Sequence, residues 1–258
     1  MLIVPDESLA LQRVVVNAMS RYTFAIIQPS TRGVENQEVS TGVGVQWKGT
    51  YLILTAGHVV EHCAEDRLRF FLPAKDIQYL PAQPPKQPIN VEVRRLTELE
   101  NPKPPVLADD ADLAAIILPP QPRANDYFFR VQPDLVPPTE GTEMGVLGYP
   151  AAVKTPIGKD FAASPVSFYG RFDSTGVRCD HPPIQDFTVP YELDHRANGF
   201  SGSGIWHWSI DPLWTPEARL AGIVTTECVP HKVVCGHNLE TVRKFLTEKE
   251  SLIRAAYD

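Results

Sequence analysis

From about residue 20 to about residue 236 the chain is a succession of short apolar segments. They are rich in β-branched and aromatic residues, and glycine, proline or asparagine breaks them off. "YTFAIIQ", "TGVGVQWKG", "TYLILTAG", "LRFFLP", "NVEVRRLT" and "ADLAAIILPP" form a first set of predicted strands. A proline-rich stretch without periodicity, residues 121–139, follows and reads as a linker. "EMGVLGYP", "PVSFYGRFD", "FTVPYEL", "SGSGIWHW" and "RLAGIVTTE" form the second set. Helical spacing occurs at the ends. Residues 8–19 are predicted as a short amphipathic helix with Ser8 as N-cap. In the tail, Leu239, Val242, Phe245, Leu246, Leu252 and Ile253 recur at the spacing of one helix face. The expected organisation is a helical extension (1–19), a first β unit (20–120), the linker (121–139), a second β unit (140–237) and a C-terminal helix (238–258).

Composition narrows this little. The 258 residues are 43% hydrophobic and 21% charged, enough for a substantial core, and the 25 prolines suit strands and loops better than long helices. The net charge of −7 argues against nucleic acid and anionic membranes as partners. No run approaches the roughly 20 apolar residues of a membrane span. Asp6 and Glu7 stand where a secretory signal carries basic residues, so a cytoplasmic setting is expected. The four cysteines are too few for a disulfide-stapled scaffold of this length, and reduced thiols follow.

Three residues carry candidate chemistry: His58 in "LTAGHVV", Asp112 in "ADLAAIIL" and Ser201 in "GFSGSGIW". A serine hydroxyl is a weak nucleophile that needs an adjacent base. Histidine titrates near neutrality, and a carboxylate behind it fixes the ring tautomer. Each has a bland reading as well, as a strand-end histidine, a turn aspartate and a flexible loop serine. Together, the bland readings leave three coincidences.

These motifs, with "LAGIVTTE" and the "GYP" at 148–150, resemble the signatures of trypsin/chymotrypsin-type serine proteases. The resemblance is greatest to the bacterial branch with glutamyl endopeptidases and high-temperature-requirement proteases, and it covers roughly residues 20–250. The chain order His, Asp, Ser differs from that of subtilisins and of α/β-hydrolases. The resemblance implies an all-β fold of two antiparallel six-stranded β-barrels and a catalytic triad of His58, Asp112 and Ser201. It also implies an oxyanion hole from the N–H groups of Gly199 and Ser201, worth on the order of 3 kcal/mol per donor. Ile205 and Trp206 would enter the second barrel's core.

The departures are informative. Phe200 stands where the digestive enzymes carry an aspartate that pairs with a newly cut N-terminus, so activation by that route is not expected. Val59 replaces a disulfide cysteine, and Ser203-Gly204 replaces Gly-Pro. For substrate binding, the resemblance places Thr225 behind the catalytic aspartate and Thr225–Glu227 along the substrate backbone. Glu227 falls at a wall of the pocket, and Asp194 or His195 at its floor. Glutamyl endopeptidases have a histidine where Val224 stands here. Two acidic candidates and no such histidine imply cleavage after Arg or Lys.

Cys228, His231, Cys235 and His237 are spaced C-x2-H-x3-C-x-H. All can bind zinc, but the spacing matches no zinc module, and a hairpin with reduced thiols is the expected reading. Zinc and a Cys228–Cys235 disulfide stay open as alternatives. No cofactor and no metal are expected. The expected partner is a protein or peptide substrate, with a regulatory protein or narrow substrate choice restraining a protease inside its own cell; the proline-rich segment 81–105 is a candidate exosite. A catalytically silent barrel pair that binds peptides is the competing function.

Overall fold

The computed structural model describes residues 15–28, 38–61, 69–71, 93–95, 105–108, 110–118, 127–132, 137–150, 154–157, 160–163, 165–174, 185–193, 196–210 and 216–256. The chain forms two sheets. The first contains β1 (Thr23–Gln28), β2 (Glu38–Trp47), β3 (Thr50–Ala56), β4 (Arg69–Phe71), β5 (Val93–Arg95), β6 (Val106–Ala108) and β7 (Leu113–Leu118), in the order β5-β4-β1-β2-β3-β7-β6. An eighth strand, β8 (Phe129–Arg130), lies beside β2. The tight β2–β3 turn uses Lys48 and Gly49, both at positive φ (46° and 89°), the geometry that matches the twist of a hairpin.

The second sheet contains β9 (Glu143–Gly148), β12 (Val166–Arg171), β13 (Phe187–Pro190), β14 (Gly204–Ile210), β15 (Pro216–Cys228) and β16 (Val233–Asn238), in the order β12-β9-β14-β15-β16-β13. Its two edges meet. Asp173, just past β12, exchanges backbone hydrogen bonds of 3.1 and 2.8 Å with Thr188 of β13, which closes the sheet on itself. A separate hairpin joins β10 (Lys154–Ile157) to β11 (Asp160–Ala163). Four helices complete the described residues: α1 (15–20), α2 (Gly57–Glu61), α3 (Leu239–Glu248) and α4 (Glu250–Arg254).

The all-β, two-sheet architecture with a helical C-terminus agrees with the sequence. The first sheet has eight strands rather than six because pieces as short as β8 join it. That strand falls inside the segment read as linker. It runs parallel to β2 at Val45–Gln46, and Val131 N–H donates to the Gln46 carbonyl at 3.1 Å. Phe128 beside it packs on Phe24 and Tyr51, with ring centroids 5.7 and 5.0 Å apart. The tail is two helices, not one. Asn238 caps α3 by accepting from Thr241 N–H at 3.0 Å, and the helix breaks at Lys249. The break turns Ile253 into the core and leaves Leu252 exposed. Glu250 at the start of α4 binds Lys48 at 2.5 Å, tying the tail to the β2–β3 turn. The N-cap expected at Ser8 lies outside the described residues.

Each sheet has its own apolar core: Phe24, Ile53, Ile116 and Phe128 in the first; Met144, Phe168, Phe200 and Ile205 in the second. A third cluster joins them, from Val43 and Leu52 through Leu147 and Ile223 to Met19 of α1 and Val242 and Phe245 of α3. Trp206 belongs to this junction, not to the second sheet's interior as expected. It is fully buried, stacked on Tyr22 at 5.5 Å and edge-on to Phe129 at 5.5 Å. Side chains on β14 alternate in direction, so Ile205 faces inward and Trp206 faces the other sheet.

Candidate active site

β3 delivers His58. The strand pairs with β7, with Ala56 opposite Leu113, and both chains turn at the same end of the sheet. Asp112 occupies that turn at φ 45°, a left-handed conformation that aspartate tolerates better than most residues. Its carbonyl accepts from Gly57 N–H (2.8 Å), and its Oδ1 accepts from His58 N–H (2.8 Å). Its Oδ2 lies 2.9 Å from His58 Nδ1. The last contact assigns the proton to Nδ1 and leaves Nε2 as the base.

His58 is half exposed. The hydrogen bond to Asp112 raises its pKa above the ordinary 6.5, with the fields of Asp112, Glu61 and Glu38 acting in the same direction and partial burial opposing them. A base works only when neutral. The acid limb of kcat/KM is therefore expected to have its midpoint above 6.5, and Asp112→Asn should move it down. A pH–rate profile with a midpoint at or below 6.5 contradicts this assignment. By the same linkage, the pair stabilises the fold below the ordinary imidazole value and stops doing so as pH rises through the raised one.

Ser201 sits in a loop that two glycines shape. Gly199 and Gly202 hold φ of 98° and 88°. At Gly202 a Cβ would lie 1.9 Å from the Thr41 carbonyl oxygen, so glycine is required on steric grounds as well. Phe200 N–H donates to Ala197 O (3.0 Å) and Ser203 N–H to Phe200 O (2.8 Å). Gly202 N–H donates to Val224 O of β15 (2.7 Å), and Val224 N–H to Ser203 O (2.8 Å). Thr41 of the first sheet also holds the loop: its N–H donates to Ser201 O (3.0 Å) and its hydroxyl to Gly199 O (2.8 Å). Among the described residues, none of these bonds uses the N–H of Gly199 or Ser201, so both are open to an incoming oxygen. Phe200, fully buried, packs edge-on to Phe168 at 5.2 Å.

His58 and Ser201 line one cleft of about 250 Å³ together with Arg196, Asn198, Thr226 and Glu227. Two of the expected substrate residues, Thr226 and Glu227, are thus at the site. Asp194 and His195 lie outside the described residues. Thr225, expected behind Asp112, makes no hydrogen bond to it. It is fully buried, and its hydroxyl makes no hydrogen bond among the described residues. The register of β15 on β16 slips between Val224 and Thr226, which makes Thr225 the extra residue of a bulge.

Glu227 Oε1 accepts from the Tyr191 hydroxyl and from Ala197 N–H, the latter at 2.8 Å. Burial, then the Glu227 carboxylate, push the Tyr191 phenol above its ordinary range, so it stays a donor. Sequence reasoning missed Tyr191, Ala197 and Thr41. The only local signal was their closeness to predicted strands. Cys228 and Cys235 lie on the β15–β16 hairpin and are not joined in a disulfide. His231 is exposed in its turn, whereas His237 is buried against Asp186, Nδ1 to Oδ2 at 3.3 Å. Among the described residues, no group of three or more His, Cys, Asp or Glu could hold a metal. No described helix is long and apolar enough to cross a membrane.

These two sheets, with His58 and Asp112 on one and Ser201 on the other, define the trypsin/chymotrypsin fold. Solved structures agree. The active form of the Rv3671c protease from M. tuberculosis superposes with a TM-score of 0.54 at 17% identity, over 92% of this chain and 85% of that one. The thermostable serine protease AL20 from an extremophilic microorganism gives 0.52 at 15% identity, over 88% and 96%. Human heparin binding protein gives 0.54 at 11% identity, over 90% and 92%. No protein-family model and no curated protein matches the chain.

Proposed function

We propose that the chain is a serine endopeptidase. The observation that carries this reading is that His58, bonded to Asp112, lines the same cleft as Ser201. His58 Nε2 takes the Ser201 proton as Oγ attacks the scissile carbonyl. Asp112 holds the ring and stabilises the imidazolium. The Gly199 and Ser201 N–H groups bind the oxyanion, and His58 returns the proton to the leaving amine. The acyl-enzyme on Ser201 is hydrolysed by the same steps with water as nucleophile. A fluorophosphonate probe tests the reading: wild type labels at Ser201 and His58→Ala does not. An unlabelled wild type supports the catalytically silent peptide-binding module instead.

Cleavage after Arg or Lys belongs to the same proposal, supported by Glu227 among the residues that line the cleft. A guanidinium left without its carboxylate in a partly dehydrated pocket costs roughly 2–5 kcal/mol. Glu227→Gln should therefore lower kcat/KM for Arg substrates about 30-fold or more. A peptide-library profile checks this, and a wild type that prefers Glu, Leu or Phe to Arg and Lys before the cleaved bond rejects it. A narrow substrate range, a regulatory protein partner and a cytoplasmic setting complete the proposal.

A further inference from the structure

β15 grips the nucleophile loop at two places. The first is backbone to backbone, where Val224 exchanges bonds with Gly202 and Ser203 on the far side of Ser201. The second is on the near side and uses a side chain: Glu227 reaches across the cleft to the N–H of Ala197. Ala197 is buried, and its carbonyl accepts Phe200 N–H at 3.0 Å, which spans the Asn198–Gly199 turn. Gly199, the left-handed residue whose N–H must point at the oxyanion, therefore lies inside a loop whose entry is held by one carboxylate oxygen. Tyr191 donates to the same oxygen and holds the carboxylate in place.

Resting on the protease reading above, we propose that Glu227, seated by Tyr191, is a positioning residue that sets the oxyanion loop through the amide of Ala197. This role differs from a charge that selects a basic side chain, because it needs only an acceptor oxygen. It acts on every substrate, since the oxyanion forms whatever residue precedes the cleaved bond. The site would then join two tasks in one carboxylate, the loop contact through Oε1 and the charge beside the cleft.

The acceptor and the charge separate in variants. Glu227→Ala removes both and should lower kcat about 30-fold or more on substrates with Arg and with Leu before the cleaved bond, with little change in KM for the Leu substrate. Glu227→Gln keeps an acceptor for Ala197 and Tyr191 and should restore most of the kcat lost in Glu227→Ala on the Leu substrate. Tyr191→Phe should fall between the two. Backbone amide exchange of Ala197 and Phe200, whose N–H groups are bonded at the entry of this loop, provides a readout free of activity. It should be faster in Glu227→Ala than in wild type or Glu227→Gln. If Glu227→Ala loses activity on Arg substrates alone, or leaves loop exchange unchanged, the positioning role is wrong and the protease reading stands. If wild type fails to label with fluorophosphonate, the protease reading falls while the exchange measurement still decides the loop. A Glu227→Gln variant as slow as Glu227→Ala on the Leu substrate also overturns the proposal.

Discussion

Ser201→Ala and His58→Ala are each expected to lower kcat for peptide hydrolysis by on the order of 10⁶, with the double variant hardly worse. The nucleophile and its base act as one unit, because a serine hydroxyl that cannot lose its proton does not attack, and an imidazole without a serine has nothing to activate. Asp112→Asn should lower the rate by roughly 10⁴, since an amide facing Nδ1 favours the tautomer with the proton on Nε2. The structure makes this variant informative, because Asp112 also accepts the His58 amide. Loss of activity with an unchanged melting temperature would place the effect in the tautomer rather than the fold. Near-full activity in Ser201→Ala would end the serine-protease reading.

The second large effect is on stability. Trp206→Ala should cost about 3–5 kcal/mol, the range for removing a large aromatic side chain from a packed interior. The site cannot collapse easily, because Tyr22 and Phe129 approach the indole from the first sheet while β14 itself is held between β9 and β15. Trp208, two residues on, is half-buried and touches Tyr169 edge-on at 5.9 Å. Its alanine variant should lose only ~1 kcal/mol. Chemical denaturation of both variants checks the contrast, and equal losses would refute the junction role of Trp206.

His58, Asp112 and Ser201 stood out in the sequence because each lies beside a predicted strand, where local residues limit the choices, and the structure brings His58 to Asp112 and to the cleft of Ser201. His58 follows an apolar strand, Asp112 opens one, and Ser201 lies between glycines that the turn requires. What sequence missed depends on contacts between distant segments. The pattern marks Trp206 as buried but cannot say against which sheet. The register slip of β15 between Val224 and Thr226 also went unread, because nothing local announces it. β8 was hidden by its flanking prolines and its two-residue length. The partners of Glu227 lie 30 and 36 residues away in sequence, so the carboxylate's pocket position was visible and its attachments were not.

Thr41 ties the Ser201 loop to the meeting of the two sheets. It is a residue of the first sheet, yet it binds Gly199 and Ser201 of the second and receives Tyr149 N–H at 2.9 Å. A first sheet on its own holds His58 and Asp112 without Ser201. A second sheet on its own has the serine but lacks the two Thr41 bonds to its loop. On the protease reading proposed above, cutting power is a property of the docked pair and of neither sheet alone.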